Sequence, residues 1–335
     1  MARTYLVTGG LGFIGAPLVQ ALVRKGNTVR VLDNSSRGSV EKLGDVVGEV
    51  EIVEGDIRDP VLVSRSVEGV ESVIHLAFVN GTEFFYQRPA YVMDVGVKGM
   101  VNIIDSCVRH GVKEFILASS SEVYQTPLII PTDETAPLSV PDPLNPRYSY
   151  GGGKIISELM AVNYGRNHFK RILIFRPHNV YGPAMGWEHV IPQFVCRLKE
   201  LRGSENEPIK FPIQGDGSQT RAFIYIDDFT DGLMKVLEKG EHLNIYHIGT
   251  MEEVAIHKLA QEVAKAAGLI IEVVPGPEVE GGTPRRCADN AKIKALGFEQ
   301  SFTLAEGLKP TVSWYLEHEK PLRSATLDVK EVFIT

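Results

Sequence analysis

The stretch Thr8-Gly9-Gly10-Leu11-Gly12-Phe13-Ile14-Gly15 decides the fold of this chain. It directly follows an apolar run at 5–7 and leads into residues 16–23, whose apolar positions recur at helical spacing. The sequence therefore predicts a strand that passes through a glycine turn into a helix.

Each of three glycines in this turn has its own physical role. Gly9 permits the tight turn, Gly12 lets the backbone approach a pyrophosphate, and Gly15 lets the helix pack against the strand. The free amides at the start of the helix face the phosphates. Asp33 ends a second predicted strand, at 29–33, about 20 residues further on, where a ribose diol is bound. The combination predicts a dinucleotide site, with simple turn glycines as the alternative.

Composition and charge narrow the class of protein. With 335 residues, 44% of them apolar and 23% charged, the chain can form a large core and two domains. Its formal net charge of -7 argues against a nucleic-acid partner. No apolar run approaches the roughly 18 residues of a membrane helix, so we expect no membrane partner. Cys107, Cys196 and Cys287 are widely spaced and predict neither a disulfide framework nor a metal site, which favours a reducing cytoplasm.

Strands and helices alternate along the first half of the chain. Four further strands are predicted, at 50–56, 72–77, 113–118 and 171–176, with helical patterns between them. This alternation is typical of an α/β fold with a Rossmann-type, doubly wound parallel sheet. We expect residues 1–178 to form that domain, rejoined by about 227–250, and residues 179–335 to form mainly a smaller C-terminal α/β domain for substrate.

Two features lie beyond the predicted strand ends, where such sheets bind ligands. Asp56 is expected to hold an adenine amino group, with an ordinary turn residue as the alternative. The proline-rich segment 127–146 is expected to cross the mouth of a site.

Tyr150 and Lys154 stand four residues apart in a predicted helix at 147–168, so they share one helix face. A tyrosine with a pKa of about 10 is a poor base at neutral pH, and lowering it by about three units takes roughly 4 kcal/mol. The lysine ammonium supplies part of this, and an oxidised nicotinamide would supply more. Ser120, at the end of the strand at 113–118, can donate to the same substrate oxygen. We therefore predict that these three residues are catalytic, with a chance pairing as the alternative.

At this point the chain resembles the extended short-chain dehydrogenase/reductases, specifically their NAD-dependent nucleotide-sugar epimerase and dehydratase branch. The resemblance covers nearly the whole chain, and it is specific for the family but not for the substrate. Its motifs are Thr8-Gly9-x-x-Gly12-x-x-Gly15, Asp33, Asp56-Ile57, His75-Leu76-Ala77, Ser119-Ser120-Ser121, Tyr150-x-x-x-Lys154, Arg176-Pro-His-Asn179-Val-Tyr-Gly-Pro183 and Arg221-x-Phe-x-Tyr-x-Asp-Asp228.

The resemblance implies a reaction and roles for these residues. Tyr150 would remove the proton from a sugar hydroxyl, usually on C4, while hydride passes to NAD. Ser120 would polarise that oxygen, and Lys154 would hold the nicotinamide ribose. Asn179 and Arg221 would grip the diphosphate of a nucleotide sugar, a group to which a bidentate guanidinium is suited.

The resemblance extends the predicted site. NAD is favoured over NADP, despite Arg37, because Asp33 would repel a 2′-phosphate. A homodimer through the helices around 91–109 and 147–168 is also implied. The predicted cofactor residues are Gly9, Gly12, Phe13, Ile14, Gly15, Asp33, Asn34, Asp56, Ile57, Leu76, Ala77, Tyr150, Lys154 and Pro177. The predicted substrate residues are Ser121, Asn179, Arg221 and Arg286.

Glu122 divides the reactions that can follow the oxidation. Ser121-Glu122 resembles UDP-glucuronate decarboxylases and GDP-mannose 4,6-dehydratases, and Arg286 falls near an arginine that decarboxylases use. The dTDP-glucose dehydratases have an acid at the position of Ser121. The segment 214–221 is similar to GDP-mannose 3,5-epimerase, whose acid–base cysteine is replaced here by Glu122. The family often has Asn where Gly96 stands and Ser where Gly153 stands.

We therefore predict an NAD-dependent nucleotide-sugar epimerase, most simply a C4 epimerase with a transient 4-keto intermediate. The alternatives are a decarboxylase or 4,6-dehydratase that uses Glu122, and a 3,5-epimerase. A third alternative is a non-catalytic, NAD-sensing binding protein. The intact pair of Tyr150 and Lys154 argues against the sensor, which has no need of a tuned phenolate.

Overall fold

Seven parallel strands form the central sheet of the computed structural model, which describes residues 2–202, 208–277 and 283–320. From one edge to the other they are β3 (Val50–Glu54), β2 (Thr28–Asp33), β1 (Thr4–Thr8), β4 (Ser72–His75), β5 (Glu114–Ala118), β6 (Arg171–Pro177) and β11 (Asn244–Ile248). The strand order steps outwards in both directions from β1, which is the doubly wound arrangement. The predicted α/β fold with a Rossmann-type sheet is confirmed.

The helices bury their apolar faces on this sheet and on one another. Within the described ranges they are α1 (Gly15–Arg24), α2 (Pro60–Val67), α3 (Thr82–Gln87), α4 (Pro89–Met93), α5 (Gly99–Arg109), α6 (Ser149–His168), α7 (Val190–Leu201), α8 (Ile226–Lys239), α9 (Ile256–Ala266), α10 (Ala291–Ala295) and α11 (Leu304–Glu317). A π-helical turn, Asp94–Lys98, joins α4 to α5, and 3-10 helices occur at Val40–Glu49, Ser121–Tyr124 and Pro146–Tyr148. No helix in the described ranges is both long and apolar enough to cross a membrane.

The two faces of the sheet belong to two different cores, because successive side chains of a strand point to opposite faces. In β1, Val7 packs in a core with Leu18 of α1 and Phe229 of α8. Its neighbour Leu6 packs in the other core, with Ile103 of α5. The second core also contains Tyr150 of α6, so the helix that carries the predicted catalytic pair lies on that face.

Short strands in the second half of the chain form three small sheets. The pairs are β7 (Val180–Tyr181) with β10 (Ile224–Tyr225), and β8 (Ile209–Ile213) with β13 (Ile271–Pro275). The third sheet has the order β12 (Glu253–Ala255), β9 (Thr220–Ala222), β14 (Arg285–Arg286). In this sheet Arg286 lies in register with Arg221. The pairing thus brings together two arginines that the sequence predicts to bind substrate.

One buried ion pair fixes α6 to the carboxyl end of the central sheet. Arg176 of β6 is 2% exposed and donates from Nε and Nη2 to the two oxygens of Glu158 in α6, at 2.8 and 2.6 Å. The hydroxyl of Ser119, directly after β5, donates to the same carboxylate. Glu158 stands one turn after Lys154, on the same side of the helix. The ion pair therefore sets the position of the helix face that carries the catalytic pair.

We predict that Glu158→Gln lowers the free energy of unfolding by about 3–5 kcal/mol, because it leaves the charge of Arg176 buried without a counterion. Urea unfolding of the two proteins measures the loss. The matched control is Asp45→Asn, which breaks an exposed pair with Arg24 whose side chains are 74% and 57% exposed. That change should cost less than about 1 kcal/mol. Equal losses in the two variants would contradict the assigned role of the buried pair.

Candidate active site

The glycine turn between β1 and α1 leaves no room for side chains. Gly9 has a φ of +71°, and a Cβ at Gly15 would lie 2.2 Å from the carbonyl oxygen of Gly9. The backbone N–H of Gly12 donates to that same carbonyl oxygen at 3.1 Å. Because the turn opens directly into α1, its free amides and helix dipole suit a pyrophosphate. The turn therefore fits the dinucleotide that the sequence predicts.

Asp33 lies beside this turn at the end of β2. Its carboxylate is buried and accepts from the backbone N–H of Leu11 at 3.0 Å and of Ser35 at 2.9 Å. Asp33 thus holds the glycine turn, and its predicted contact with a ribose stays a prediction. The guanidinium of Arg37 donates to the carbonyl of Asn80 and lies 3.4 Å from Glu188.

Asp56 has protein partners on both carboxylate oxygens. Arg58 donates to them from Nε and Nη2, each at 2.9 Å, and Asn34 Nδ2 donates to one of them at 3.2 Å. Burial alone would raise the pKa of Asp56, but the hydrogen bonds from Arg58 lower it below its usual value. An ionised Asp56 therefore lies next to Asn34, and its predicted contact with adenine stays a prediction.

The other residues predicted to bind the cofactor lie after β4, beneath α5, at the start of α1 and at the end of β6. The backbone N–H groups of Leu76 and Ala77, just past β4, donate to the carbonyl and hydroxyl oxygens of Thr8, at 3.1 and 3.2 Å. Ile57 is buried beneath α5, where a Cβ at Gly99 would meet it. The remaining three predicted residues are half-buried, at the start of α1 and the end of β6: Phe13, Ile14 and Pro177.

Tyr150 lies between two aromatic rings. It stacks on Phe85 with the ring centroids 5.0 Å apart, and it meets Phe78 edge to face at 5.2 Å. Burial raises the pKa of Tyr150 to about 12, although a hydrogen bond to Ser120 lowers it. The protein groups alone therefore keep the phenol neutral, and the positive charge of an oxidised nicotinamide would favour the phenolate.

Lys154 lies close to Tyr150, as their spacing predicts. It is 3% exposed, and its Nζ lies 5.8 Å from the centroid of the Tyr150 ring. The same atom donates to the carbonyl of Ala118 at 2.7 Å and lies 4.0 Å from the centroid of the Phe78 ring. Burial lowers the pKa of Lys154 to about 7, with Glu158 acting in the opposite direction. The amine is thus close to half-charged at neutral pH.

Glu122 is held by Arg286 on the substrate side of the phenol. Arg286 is buried, and its Nη1 donates to Oε1 of Glu122 at 2.5 Å. Burial alone would raise the pKa of Glu122, but the charge of Arg286, followed by those of Arg147 and Arg221, lowers it. The negative charge of Glu122 also raises the pKa of Tyr150. An ionised carboxylate therefore lies close to the predicted base.

The other predicted substrate residues adjoin this ion pair. Arg221 donates from Nη1 and Nη2 to the carbonyls of Thr220 and Thr283, both at 2.7 Å. Burial and the charge of Arg286 lower the pKa of Arg221 to about 10. Asn179 donates to the carbonyl of Ala222 at 2.8 Å, next to Arg221 in the chain. Ser121 is buried in the 3-10 helix that also holds Glu122.

Three side chains that the sequence analysis missed complete the site. Phe78 and Phe85 enclose the phenol, and Arg147 adds a third guanidinium near Glu122. Arg147 stands three residues before Tyr150, so helical spacing was a usable signal. Phe78 directly follows the motif His75-Leu76-Ala77, but an aromatic residue at that position matches no catalytic or binding motif.

We predict that Gly15→Ala weakens NAD binding by roughly tenfold or more, because the added Cβ forces apart the turn that faces the pyrophosphate. Isothermal titration calorimetry of cofactor-stripped protein measures the affinity. Gly48→Ala is the matched control, since no atom lies within 4 Å of the Cβ that it adds. Unchanged affinity in the Gly15 variant would place the pyrophosphate elsewhere.

Comparison with known proteins places this geometry in a family. The sequence is 33% identical over 309 residues to UDP-glucuronic acid decarboxylase 5 of Arabidopsis thaliana, covering 90% of this chain and 86% of that protein. It is 32% identical over 315 residues to a putative UDP-glucose 4-epimerase of Methanocaldococcus jannaschii, covering 92% and 97%. The structure of a dTDP-glucose 4,6-dehydratase double mutant from Streptomyces venezuelae, with NAD bound, matches with a TM-score of 0.82 at 30% identity, covering 93% and 97%.

The profile of one protein family matches residues 5–249, a span that includes the glycine turn, Tyr150, Lys154 and β11. This match confirms the predicted family and, with it, NAD as the cofactor. The chain belongs to the NAD dependent epimerase/dehydratase family.

Proposed function

We propose that this chain oxidises C4 of a nucleotide sugar and then uses Glu122 and Arg286 on the keto sugar, most suitably to decarboxylate a nucleotide hexuronate. The observation that carries the proposal is the ion pair between these two residues, 2.5 Å long and next to Tyr150. NAD, when bound, would supply the hydride chemistry at C4 in both directions.

The oxidation step needs three side chains. Tyr150 takes the proton of the C4 hydroxyl, and Ser120, which lowers the pKa of the phenol, holds the same oxygen. Lys154, when charged, stabilises the phenolate from within the same helix. These groups serve every reaction that starts from a 4-keto sugar, so they do not distinguish between the candidate functions.

The second step is where Glu122 and Arg286 become informative. A 4-keto hexuronate is a β-keto acid, so breaking the bond between C5 and C6 releases carbon dioxide and leaves the electron pair on the C4 oxygen. Ser120 and Tyr150 stabilise that oxygen, and C5 then takes up a proton from solvent. Arg286 is suited to hold the departing carboxylate, and Glu122 holds Arg286 in place.

The dehydratase is less well supported by the same geometry. Loss of water from C6 needs an acid for the leaving hydroxyl, and Ser121, where dTDP-glucose dehydratases have an acid, does not supply one. Glu122 is ionised beside three guanidinium groups, so it is a base rather than an acid. The 3,5-epimerase activity is also less well supported, because Glu122 occupies the position of that enzyme's acid–base cysteine.

C4 epimerisation, the reaction that the sequence analysis favours, is the second candidate. The putative 4-epimerase of Methanocaldococcus jannaschii matches along 97% of its length, more than the 86% of the plant decarboxylase. An epimerase needs only that the keto sugar rotates in the site, so that the hydride returns to the opposite face of C4. It therefore has no use for an ionised pair beside the phenol, other than to bind a hydroxyl of the sugar. The sensor is disfavoured because the base, its hydroxyl partner and the lysine are all assembled.

The finer predictions on assembly and location stay proposals. A homodimer through α5 and α6 agrees with the exposure of Val101 on α5 and Leu159 on α6, which are 37% and 57% exposed. We also propose that residues 1–178, rejoined by 227–250, bind NAD and that residues 179–335 mainly bind the nucleotide sugar. A cytoplasmic location is a proposal as well.

We predict that incubation with UDP-glucuronate yields carbon dioxide and a UDP-pentose, read by NMR against UDP-glucose, GDP-mannose and dTDP-glucose. A product inverted at C4 with its C6 retained would instead identify an epimerase. Glu122→Gln loosens Arg286 and should slow the second step by roughly 10²-fold, so that NADH absorbance persists after substrate is added. Tyr150→Phe is the control, because it should abolish NADH formation altogether. Wild-type turnover of UDP-glucuronate by Glu122→Gln would overturn the assigned role of the ion pair.

A further inference from the structure

The ring of Phe78 is seated in a slot formed by two helical glycines. A Cβ at Gly96, in the π-helical turn, would lie 2.2 Å from Cζ of Phe78, and a Cβ at Gly153, in α6, would lie 3.1 Å from the same atom. A glycine inside a helix costs about 1 kcal/mol relative to alanine, so two of them facing one ring need a compensating benefit.

The seated ring touches both members of the predicted catalytic pair. Nζ of Lys154 lies 4.0 Å from the centroid of the Phe78 ring, well inside the distance for a cation–π contact. The Phe78 and Tyr150 rings meet edge to face at 86°, with centroids 5.2 Å apart. Since Lys154 is buried, the contact with its ammonium is of the desolvated and therefore stronger kind.

We propose that Phe78 is a positioning residue for the oxidation step: its face holds the Lys154 ammonium, its edge orients the Tyr150 phenol, and Gly96 and Gly153 exist to admit its ring. The inference rests on the proposed roles of Tyr150 and Lys154 in oxidising C4. It does not depend on which reaction follows.

The ring matters because burial disfavours the charge on Lys154, and the opposing effect of Glu158 is the smaller of the two. The titratable groups that face it are Glu158 one turn later in α6, Tyr150 one turn earlier, and His75 on β4. Burial keeps the pKa of His75 at about 3, so this imidazole is neutral. Burial also lowers the pKa of Lys154 to about 7. A contact that stabilises the ammonium slightly over the neutral amine therefore changes the fraction of enzyme that carries a charged lysine at neutral pH. The face of Phe78 supplies such a contact.

The first arm of the test replaces Phe78 by Leu, which keeps an apolar side chain but removes the aromatic face. NMR titration of the Lys154 amine in lysine-labelled holoenzyme should show its apparent pKa falling by about half to one unit. The alkaline limb of single-turnover NADH formation should move to lower pH by the same amount, with a several-fold lower rate at neutral pH. An unmoved titration of Lys154 would overturn the proposal, whatever the rate.

The second arm displaces the ring without touching it. Gly96→Ala should slow NADH formation by roughly tenfold or more and shift the Lys154 titration in the same direction as Phe78→Leu. Gly153→Ala should do the same more weakly. Gly152→Ala is the matched control on the same helix, because its added Cβ meets only Val140, at an ordinary 3.7 Å. In a Phe78→Ala background, Gly96→Ala should lose most of its effect.

The outcomes separate this proposal from the proposed function. If Gly96→Ala proves as harmless as Gly152→Ala, or if its effect persists without the ring, the slot has no role and the proposal fails. If no nucleotide sugar reacts, the Lys154 titration still reports on Phe78. Should Phe78→Leu not fold, Gly153→Ala gives the same readout, because its Cβ needs the ring to yield by only a few tenths of an ångström.

Discussion

The contact on which the site depends is the buried ion pair between Arg176 and Glu158. It joins the end of β6 to α6, and the hydroxyl of Ser119 ties the end of β5 to the same carboxylate. Arg176 also donates to the hydroxyl of Tyr124 and to the carbonyl of Glu134, so the proline-rich segment 127–146 is held by the same group. A buried pair of this kind adds little net stability over apolar packing, because both charges lose their water. Its contribution is orientation, because the ends of β5 and β6 and one face of α6 cannot shift independently.

The geometry so fixed divides the site into an apolar end and a charged end. At the apolar end, burial opposes the charged forms of both Tyr150 and Lys154: it raises the pKa of Tyr150 to about 12 and lowers that of Lys154 to about 7. At the charged end, Arg286 and its neighbouring guanidinium groups keep Glu122 ionised. Hydride transfer benefits from exclusion of water, and binding of phosphate or carboxylate benefits from fixed charge. This division of the site suits the two stages of the proposed reaction.

Local spacing is what made the sequence informative. The glycine turn, Asp33 and the pair of Tyr150 and Lys154 are defined by residues within one strand, turn or helix, so their geometry follows from the sequence alone. Contacts that depend on the register between distant segments cannot be predicted from the sequence in this way. Arg286 reaches Glu122 only because β14 pairs with β9, and neither short strand has a periodic pattern that predicts its partner. The surroundings of the phenol escaped prediction for the same reason, because Phe78 lies in an irregular segment between β4 and α3.

This difference between local and distant contacts bears on why one family supports several reactions. Tyr150, Lys154 and Ser120 are placed by α6 and by the end of β5, elements whose burial and hydrogen bonding leave little freedom. Glu122 lies in a short 3-10 helix, and Arg286 in a two-residue strand at the edge of a small sheet. Such connecting segments tolerate substitution far better than the elements that carry them. If the proposed function is right, the groups for oxidation at C4 are therefore placed by the scaffold, whereas the step that follows depends on Glu122 and Arg286 in these connecting segments, and position 122 is the one at which we expect the choice of product to be made.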